Sequence, residues 1–344
     1  MPLFVKEKDY VKCLACQHYC RLSQGAVGRC GVRREKNGQV ELLVYGRPCA
    51  VNIDPIEKKP LYHFLPGTEV LSIGTYGCNF GCGFCQNWDI SQLAKKDGVV
   101  AGETLSLNIF LDRLEKAAPE QLAERAATNN IPSIAYTYNE PTVWTEYAED
   151  IGRAARKQGI KNIFVTNGYM SPENTASLVT WLDAVNIDLK AMNDDFYVKV
   201  CHGSLRPVLD NIRRFYEAGV WVEVTTLLIP GENDSDEELA RLADFIASIS
   251  PDIPWHLSAF HGDYKMSDRL PTAPEALVHA HGLGLAAGLK YVYIGNVEAK
   301  EYGHTFCPKC QNLLIERGYM SAEPKGLFNG VCKKCGEALP GIFV

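Results

Sequence analysis

Seven short apolar segments alternate with helical patterns between residues 70 and 295, and no other feature restricts the fold of this chain as strongly. The segments are VLSIGT (70–75), SIAYTY (133–138), NIFVT (162–166), AVNIDL (184–189), WVEVTTLLI (221–229), WHLSAF (255–260) and YVYIG (291–295). They are rich in β-branched and aromatic residues, which suit buried strands. Helix signals lie between them. Ser171 reads as an N-cap with Pro172 at the first helical position. Asp234-Ser235 precedes Glu237 and Glu238, another helix start, while Gly159, Gly219 and Gly288 close helical patterns. Repeated strand–helix alternation predicts an α/β fold, a parallel sheet with outer helices. Such sheets carry their sites at the carboxyl ends of the strands.

The polar residues fall where that rule expects them. Asn186, Asp188 and Lys190 share one face at period two, and Val185, Ile187 and Leu189 share the other. A charged strand face is costly unless it lines a cavity. Other strand ends carry Asn139-Glu140, Thr166-Asn167, and His256 with Ser258. These groups converge on one mouth, so the reading is a partial or open barrel with a polar interior.

The chain contains 13 cysteines, and eleven of them lie in tight groups. Cys78, Cys82 and Cys85 sit in GTYGCNFGCGFCQNW, directly after the first strand. Three thiolates do not complete a tetrahedral zinc site by themselves. They can hold three irons of a [4Fe-4S] cluster and leave the fourth open to a ligand. The competing reading is a zinc site completed by a distant residue. Gly77, Gly81 and Gly83 are expected to let the backbone wrap the metal group closely, with Phe80 and Phe84 as its shield. Cys13, Cys16, Cys20 and Cys30 suggest a second, closed site, for zinc or an auxiliary iron–sulfur cluster; His18 beside them reads as a surface histidine. Cys307, Cys310, Cys332 and Cys335 form two C-x2-C knuckles and read as a zinc ribbon, with a rubredoxin-like iron or a cluster as the alternative. Cys49 and Cys201 are left over and read as small buried residues.

With 344 residues, 46% of them hydrophobic, the chain can build one large core with appendages. The expected division is a cysteine-rich metal-binding segment at 1–64, a core barrel at 65–298 and the zinc ribbon at 299–344. Net charge is −6 and no long basic run occurs, so charge gives nucleic-acid binding no support. No stretch of 18 apolar residues occurs and the N-terminus has no apolar signal core, so the expectation is a cytoplasmic protein without a membrane partner.

The C-x3-C-x-aromatic-C run resembles the signature of the radical S-adenosylmethionine (SAM) superfamily. The wider run KPLYHFLPGTEVLSIGTYGCNFGCGFCQNWDISQ is similar to the pyruvate formate-lyase activating enzyme-like branch. YTYNEP (136–141), TNGY (166–169), DLK (188–190) and PWHLS (254–258) resemble the radical SAM member of the AmmeMemoRadiSam system. The match runs nearly the length of the chain. It implies a partial (β/α)6 barrel, a [4Fe-4S] cluster on Cys78, Cys82 and Cys85, and SAM chelated to the open iron. Asn139-Glu140 stands where many relatives carry Gly-Gly-Glu, so Glu140 would receive the SAM ammonium. Asn167 would meet the ribose or methionine part, and Asp188 and Lys190 the ribose hydroxyls and carboxylate, unless they simply pair with each other. His256 is either a further SAM contact or a satisfied barrel histidine. The implied activity is reductive cleavage of SAM to methionine and a 5′-deoxyadenosyl radical, which takes hydrogen from a substrate. An external one-electron reductant is required. The implied partners are Memo-like and AMMECR-like proteins or, if the enzyme is an activase, a glycyl-radical enzyme. A non-catalytic electron carrier or scaffold is the remaining alternative.

Overall fold

The computed structural model describes residues 2–96, 104–297, 300–318 and 320–343. Its centre is one eight-stranded sheet whose strands follow each other in space as they do in sequence. They are β1 (Ala50–Pro55), β2 (Glu69–Gly74), β3 (Ser133–Tyr136), β4 (Lys161–Thr166), β5 (Ala184–Asp188), β6 (Trp221–Leu228), β7 (Trp255–Ala259) and β8 (Val292–Gly295). Strands β2 to β8 pair in parallel, and β1 runs antiparallel to β2. The crossovers carry helices α1 (Pro119–Thr128), α2 (Thr145–Arg156), α3 (Pro172–Leu178), α4 (Arg206–Glu217), α5 (Asp236–Ile249) and α6 (Pro274–Ala286). All seven strands read from the sequence are present. The sheet nevertheless begins at β1, inside the segment assigned to the N-terminal module. The expected boundary between 298 and 299 lies outside the described residues.

The helix signals work as their chemistry requires. Ser171 Oγ accepts from Asn174 N at 3.1 Å and caps α3; Ser235 Oγ accepts from Glu238 N at 3.3 Å and caps α5. Gly219 and Gly288, just past α4 and α6, have φ of 77° and 94°, the left-handed conformation that ends a helix most readily in glycine.

Alternation along the strands separates two apolar layers. Leu71, Ile134, Phe164 and Val185 face the helices and join the main core. Their neighbours Val70, Ala135, Ile163 and Ala184 face inward and pack on Ile56, Leu61, Phe64 and Leu65. The segment after β1 thus plugs the amino-terminal end of the barrel. Above the plug the interior turns polar. Glu223 on β6, fully buried, accepts hydrogen bonds from Tyr62 N (2.9 Å), His63 N (2.8 Å), Trp221 Nε1 (3.0 Å) and His256 Nε2 (2.6 Å). Burial opposes its charge, but the bond from His256 leads the donors that outweigh burial and hold the carboxyl below its usual range.

The C-terminal hairpins dock on the same end. Arg317 donates to Tyr62 O (2.6 Å) and Thr305 Oγ1 (2.7 Å) and lies over the Tyr62 ring at 4.2 Å. His63 Nδ1 lies 2.8 Å from Pro340 O and Nε2 2.6 Å from the Tyr293 hydroxyl. A carbonyl only accepts, so Nδ1 carries the proton and neutral Nε2 accepts from Tyr293. Among the described residues no helix is long and apolar enough to cross a membrane.

Burial pushes the His63 pKa down to about 4. In the unfolded chain it returns to about 6.5, so below that value the unfolded state binds the extra proton first. Stability attributable to His63 is intact above pH 6.5 and falls by up to about 3 kcal/mol as pH drops toward 4. Chemical denaturation of wild type and His63→Gln at pH 7 and pH 5 checks this. The wild type should lose more stability between the two pH values than the variant.

Candidate metal and cofactor site

The loop after β2 carries Cys78, Cys82 and Cys85, and the neighbouring strands β3, β4 and β5 bring their carboxyl ends beside it. This loop lies outside the sheet ladder, so side chains must satisfy its backbone. Asn139 does much of this. Its Oδ1 accepts from Thr75 N (3.1 Å) and Trp144 Nε1 (3.2 Å), and its Nδ2 donates to Gly77 O (2.8 Å) and Thr75 Oγ1 (3.1 Å).

Glu140 ties the next two strand ends together. Its Oε1 accepts from Thr142 N (3.0 Å), Thr142 Oγ1 (2.5 Å) and Thr166 Oγ1 (2.6 Å), and its Oε2 from Asn167 N (2.8 Å). Burial pushes its carboxyl up despite these donors. Oε1 is fully engaged, whereas Oε2 has one of these partners and capacity for another donor. Asn167 in turn donates to Asn79 Oδ1 at 2.8 Å and points the same amide at Cys78 Sγ, 3.9 Å away.

The glycines of the loop act mainly by admitting protein neighbours. Gly77 has φ 93°, and a Cβ there would lie 2.6 Å from Cys30 O. A Cβ on Gly81 would lie 2.7 Å from His202 Nδ1, whereas Gly83 has ordinary room, its nearest atom at 3.6 Å. Phe80 and Phe84 are buried, as a shield requires. Behind the loop, the turn Tyr197–Cys201 accepts two of its N–H groups: Gly81 N to Cys201 O at 2.8 Å and Gly83 N to Val200 O at 3.3 Å.

Cys201 is therefore more than a small buried residue. It lies beside Cys82, and the neighbouring Cys201 thiol, then burial, drives the Cys82 pKa well up. Burial likewise raises Cys78, and it pushes Cys85 up to about 11. Three thiols with raised pKa values call for a positive partner to become thiolates. Lys190 supplies one charge. It pairs with Asp188 at 2.8 Å and lies over the Phe84 ring at 5.6 Å. Burial opposes its charge, but Asp188 and the thiols of Cys82 and Cys201 outweigh it and hold the ammonium well above its usual range.

The residues fit an iron–sulfur group. Phe80 N donates to Cys78 Sγ at 3.3 Å. Asn79 Nδ2, buried beside Cys78, has no partner among the described residues. A buried donor without an acceptor is costly, and a cluster sulfide or a bound carboxylate would supply one.

Of the cofactor residues expected from sequence, Asn139, Glu140, Asn167, Asp188 and Lys190 gather at this mouth. His256 does not join them: its ring turns to Glu223 deeper in the barrel and packs edge-on against Tyr62 at 4.7 Å. This contact is the one a satisfied barrel histidine makes, the other role that the sequence allows. Sequence reasoning missed Cys201, Asn79 and Glu223. Only Glu223 left a signal, a charge inside an apolar nine-residue strand.

The two other cysteine groups differ in geometry. At the C-terminus, Cys307 Sγ lies 3.6 Å from Cys335 Sγ, and Cys310 Sγ 3.7 Å from Cys332 Sγ. A tetrahedral zinc with Zn–S near 2.3 Å sets its sulfurs about 3.8 Å apart, so this set fits zinc. Among the described residues it is the one group of three or more ligands whose atoms all lie within 4.8 Å. Cys13, Cys16, Cys20 and Cys30 share one small module, but no three of their sulfurs come that close.

Comparison with known proteins agrees with this site. The chain is 41% identical over 336 residues to an uncharacterized protein of Methanocaldococcus jannaschii, covering 97% of this chain and 96% of that one. It is 25% identical to the pyruvate formate-lyase-activating enzyme of Clostridium pasteurianum, over 56% of this chain and 80% of the relative. The pyruvate formate-lyase 1-activating enzyme of Escherichia coli K12 is also 25% identical, over 45% and 68%. Residues 72–243, from within β2 to within α5, match the model of the radical SAM superfamily. The chain is an enzyme of that superfamily.

Proposed function

We propose that this enzyme binds a [4Fe-4S] cluster through Cys78, Cys82 and Cys85 and cleaves SAM reductively at its mouth. The carrying observation is the convergence of these thiols with Glu140, Asn167 and Lys190 on adjacent strand ends. When bound, the cluster and SAM supply a one-electron cleavage to methionine and a 5′-deoxyadenosyl radical that abstracts hydrogen from substrate. The chain's residues bind and orient. Glu140 Oε2 accepts the SAM ammonium, Asn167 and Asn79 donate to the thiolate or carboxylate side, and Asp188 holds Lys190 against the loop. Asp188, partly exposed at the end of β5, is also the acceptor for ribose hydroxyls. The buried phenyl rings of Phe80 and Phe84 keep water from the metal group.

The likeness to pyruvate formate-lyase activating enzymes favours a glycine Cα–H of a partner protein as substrate. The resemblance of YTYNEP and PWHLS to the AmmeMemoRadiSam enzyme favours a different substrate, with Memo-like and AMMECR-like proteins as partners. Deuterium carried from labelled candidates into 5′-deoxyadenosine separates the two. In either case an external one-electron reductant feeds the cluster. The C-terminal thiols hold structural zinc: four ligands close the site and leave no open position.

Three outcomes follow. Cys82→Ala should reduce anaerobic, dithionite-dependent 5′-deoxyadenosine formation to the level without enzyme; cleavage above that level would refute the assignment. Lys190→Met removes a cation beside the thiolates, so the cluster midpoint potential should fall by on the order of 100 mV in a redox titration. An unchanged or higher potential contradicts the role given to Lys190. Cys310→Ser should lose zinc and lower the thermal midpoint, because structural zinc contributes folding energy.

A further inference from the structure

Between Cys78 and Cys85 the loop backbone is covered by basic residues drawn from four separate segments. His18 of the N-terminal module, expected at the surface, is half-buried, and its Nε2 lies 2.9 Å from Asn79 O. A carbonyl only accepts, so Nε2 donates. Lys95, in the short helix Leu93–Lys96, donates its ammonium to Phe80 O. His202, exposed after the turn Tyr197–Cys201, packs on Gly81. Lys265, in the loop after β7, donates its backbone N–H to Gly83 O at 2.9 Å and keeps its side chain exposed. Arg29, also exposed, stands next to Cys30, whose carbonyl fills the space beside Gly77.

These charges act together and are not cancelled locally. Burial, then the charges of Lys265, Lys95 and Arg29, holds the His202 imidazole below its usual range. Burial, then Arg29 and Lys95, does the same to His18, against the bond to Asn79 O. None of Arg29, Lys95 and Lys265 forms an ion pair among the described residues. Asp194, Asp195 and Asp263 on neighbouring segments are engaged with Leu205 N (2.8 Å), Lys199 Nζ (2.7 Å) and Tyr264 N (2.7 Å). The whole chain carries a net charge of −6, so this face opposes the sign of the molecule and suits an anionic partner. The covering is also thin. Gly81 and Gly83, partly exposed, flank the buried Cys82, and neither puts a side chain between that thiol and the surface. Val198, 53% exposed on the adjoining turn, offers apolar contact within the basic rim. A substrate has to reach the polar interior near Glu140 and Asp188, whereas an electron has only to cross a thin layer of protein.

We propose that Arg29, Lys95 and Lys265 form the docking face for an acidic one-electron carrier protein, which passes its electron across the Gly81–Gly83 backbone to the metal group on Cys82. The acceptor rests on the functional reading above; the face is this chain's own. In the step the carrier is oxidised by one electron and a 2+ cluster becomes 1+. No bond forms or breaks.

Anaerobic rapid mixing of the full-length holoenzyme with a reduced flavodoxin of strongly negative net charge tests the face, with bleaching of the cluster absorbance as the readout. The double variant Arg29→Glu, Lys265→Glu changes two exposed side chains; Lys95 is left in place because it also holds Phe80 O. At low ionic strength the variant should take the electron about tenfold or more slowly than wild type. Added salt should slow wild type and affect the variant much less. Calorimetry with the oxidised flavodoxin should show binding weakened about tenfold or more. Reduction by dithionite, and dithionite-driven 5′-deoxyadenosine formation, should match wild type. The milder pair Arg29→Gln, Lys265→Gln should fall between the two, which separates lost docking from a damaged fold. Equal flavodoxin rates and equal salt dependence in wild type and both variants overturn the docking face. An unchanged flavodoxin rate with lost retention on heparin gives the face to another polyanion and overturns it as well. Wild type that accepts the electron but cleaves no SAM overturns the functional reading and leaves the face standing.

Discussion

The arrangement depends on one constraint: a parallel sheet delivers its chemistry in loops that the strand ladder cannot support. Every loop at the carboxyl edge has backbone groups needing partners, and in this protein buried carboxylate and amide side chains supply them. Glu140 takes four hydrogen bonds and joins the ends of β3 and β4. Asn139 holds the cysteine loop, Asn211 reaches Gly168 O and Met170 O at 2.8 Å each, and Asn233 reaches Lys190 O at 2.6 Å and Leu227 O at 2.8 Å. Each amide bonds two carbonyls or loop groups. The mouth is therefore held in shape by polar contacts within the protein itself, which is what preorganisation for a reactive species requires.

The opposite end is closed by a different device. The segment after β1 and the C-terminal hairpins meet around Glu223, His63, Tyr293 and Arg317, a buried polar set in which most donors and acceptors are matched. Such a network is costly when half satisfied and rigid when complete. It lets a polar barrel interior end against protein instead of water. The two cysteine-rich ends thus play unlike parts. One braces the base; the other lies against the loop that carries Cys78, Cys82 and Cys85.

The seven parallel strands and their helices were legible because apolar runs and caps are local signals: Ser171, Ser235 and Gly219 act where the sequence puts them. The thiol loop, Asn139, Glu140 and Asn167 were legible because strand ends are identifiable and their polarity stands out. Strand β1 was not, since AVNIDP is a half-exposed edge with a proline and no helix behind it. His256 had two readings in the sequence because its position on the strand does not reveal its rotamer; in the fold its Nε2 meets Glu223, 33 residues away. Cys201 and Asn79 acquire meaning only through contacts made after folding. The docking of residues 13–34 on the mouth is non-local in the same sense: Arg33 finds Glu146 across 113 residues.

The central claim is that SAM meets an open iron at the mouth formed by the loop after β2. Electron–nuclear double resonance on the reduced, anaerobic protein tests it directly, with SAM labelled at its amino nitrogen and carboxylate oxygens. The account predicts strong hyperfine coupling from both labels to one cluster, lost when Cys78, Cys82 or Cys85 is replaced by alanine. A reduced cluster that shows no coupling to labelled SAM would contradict it.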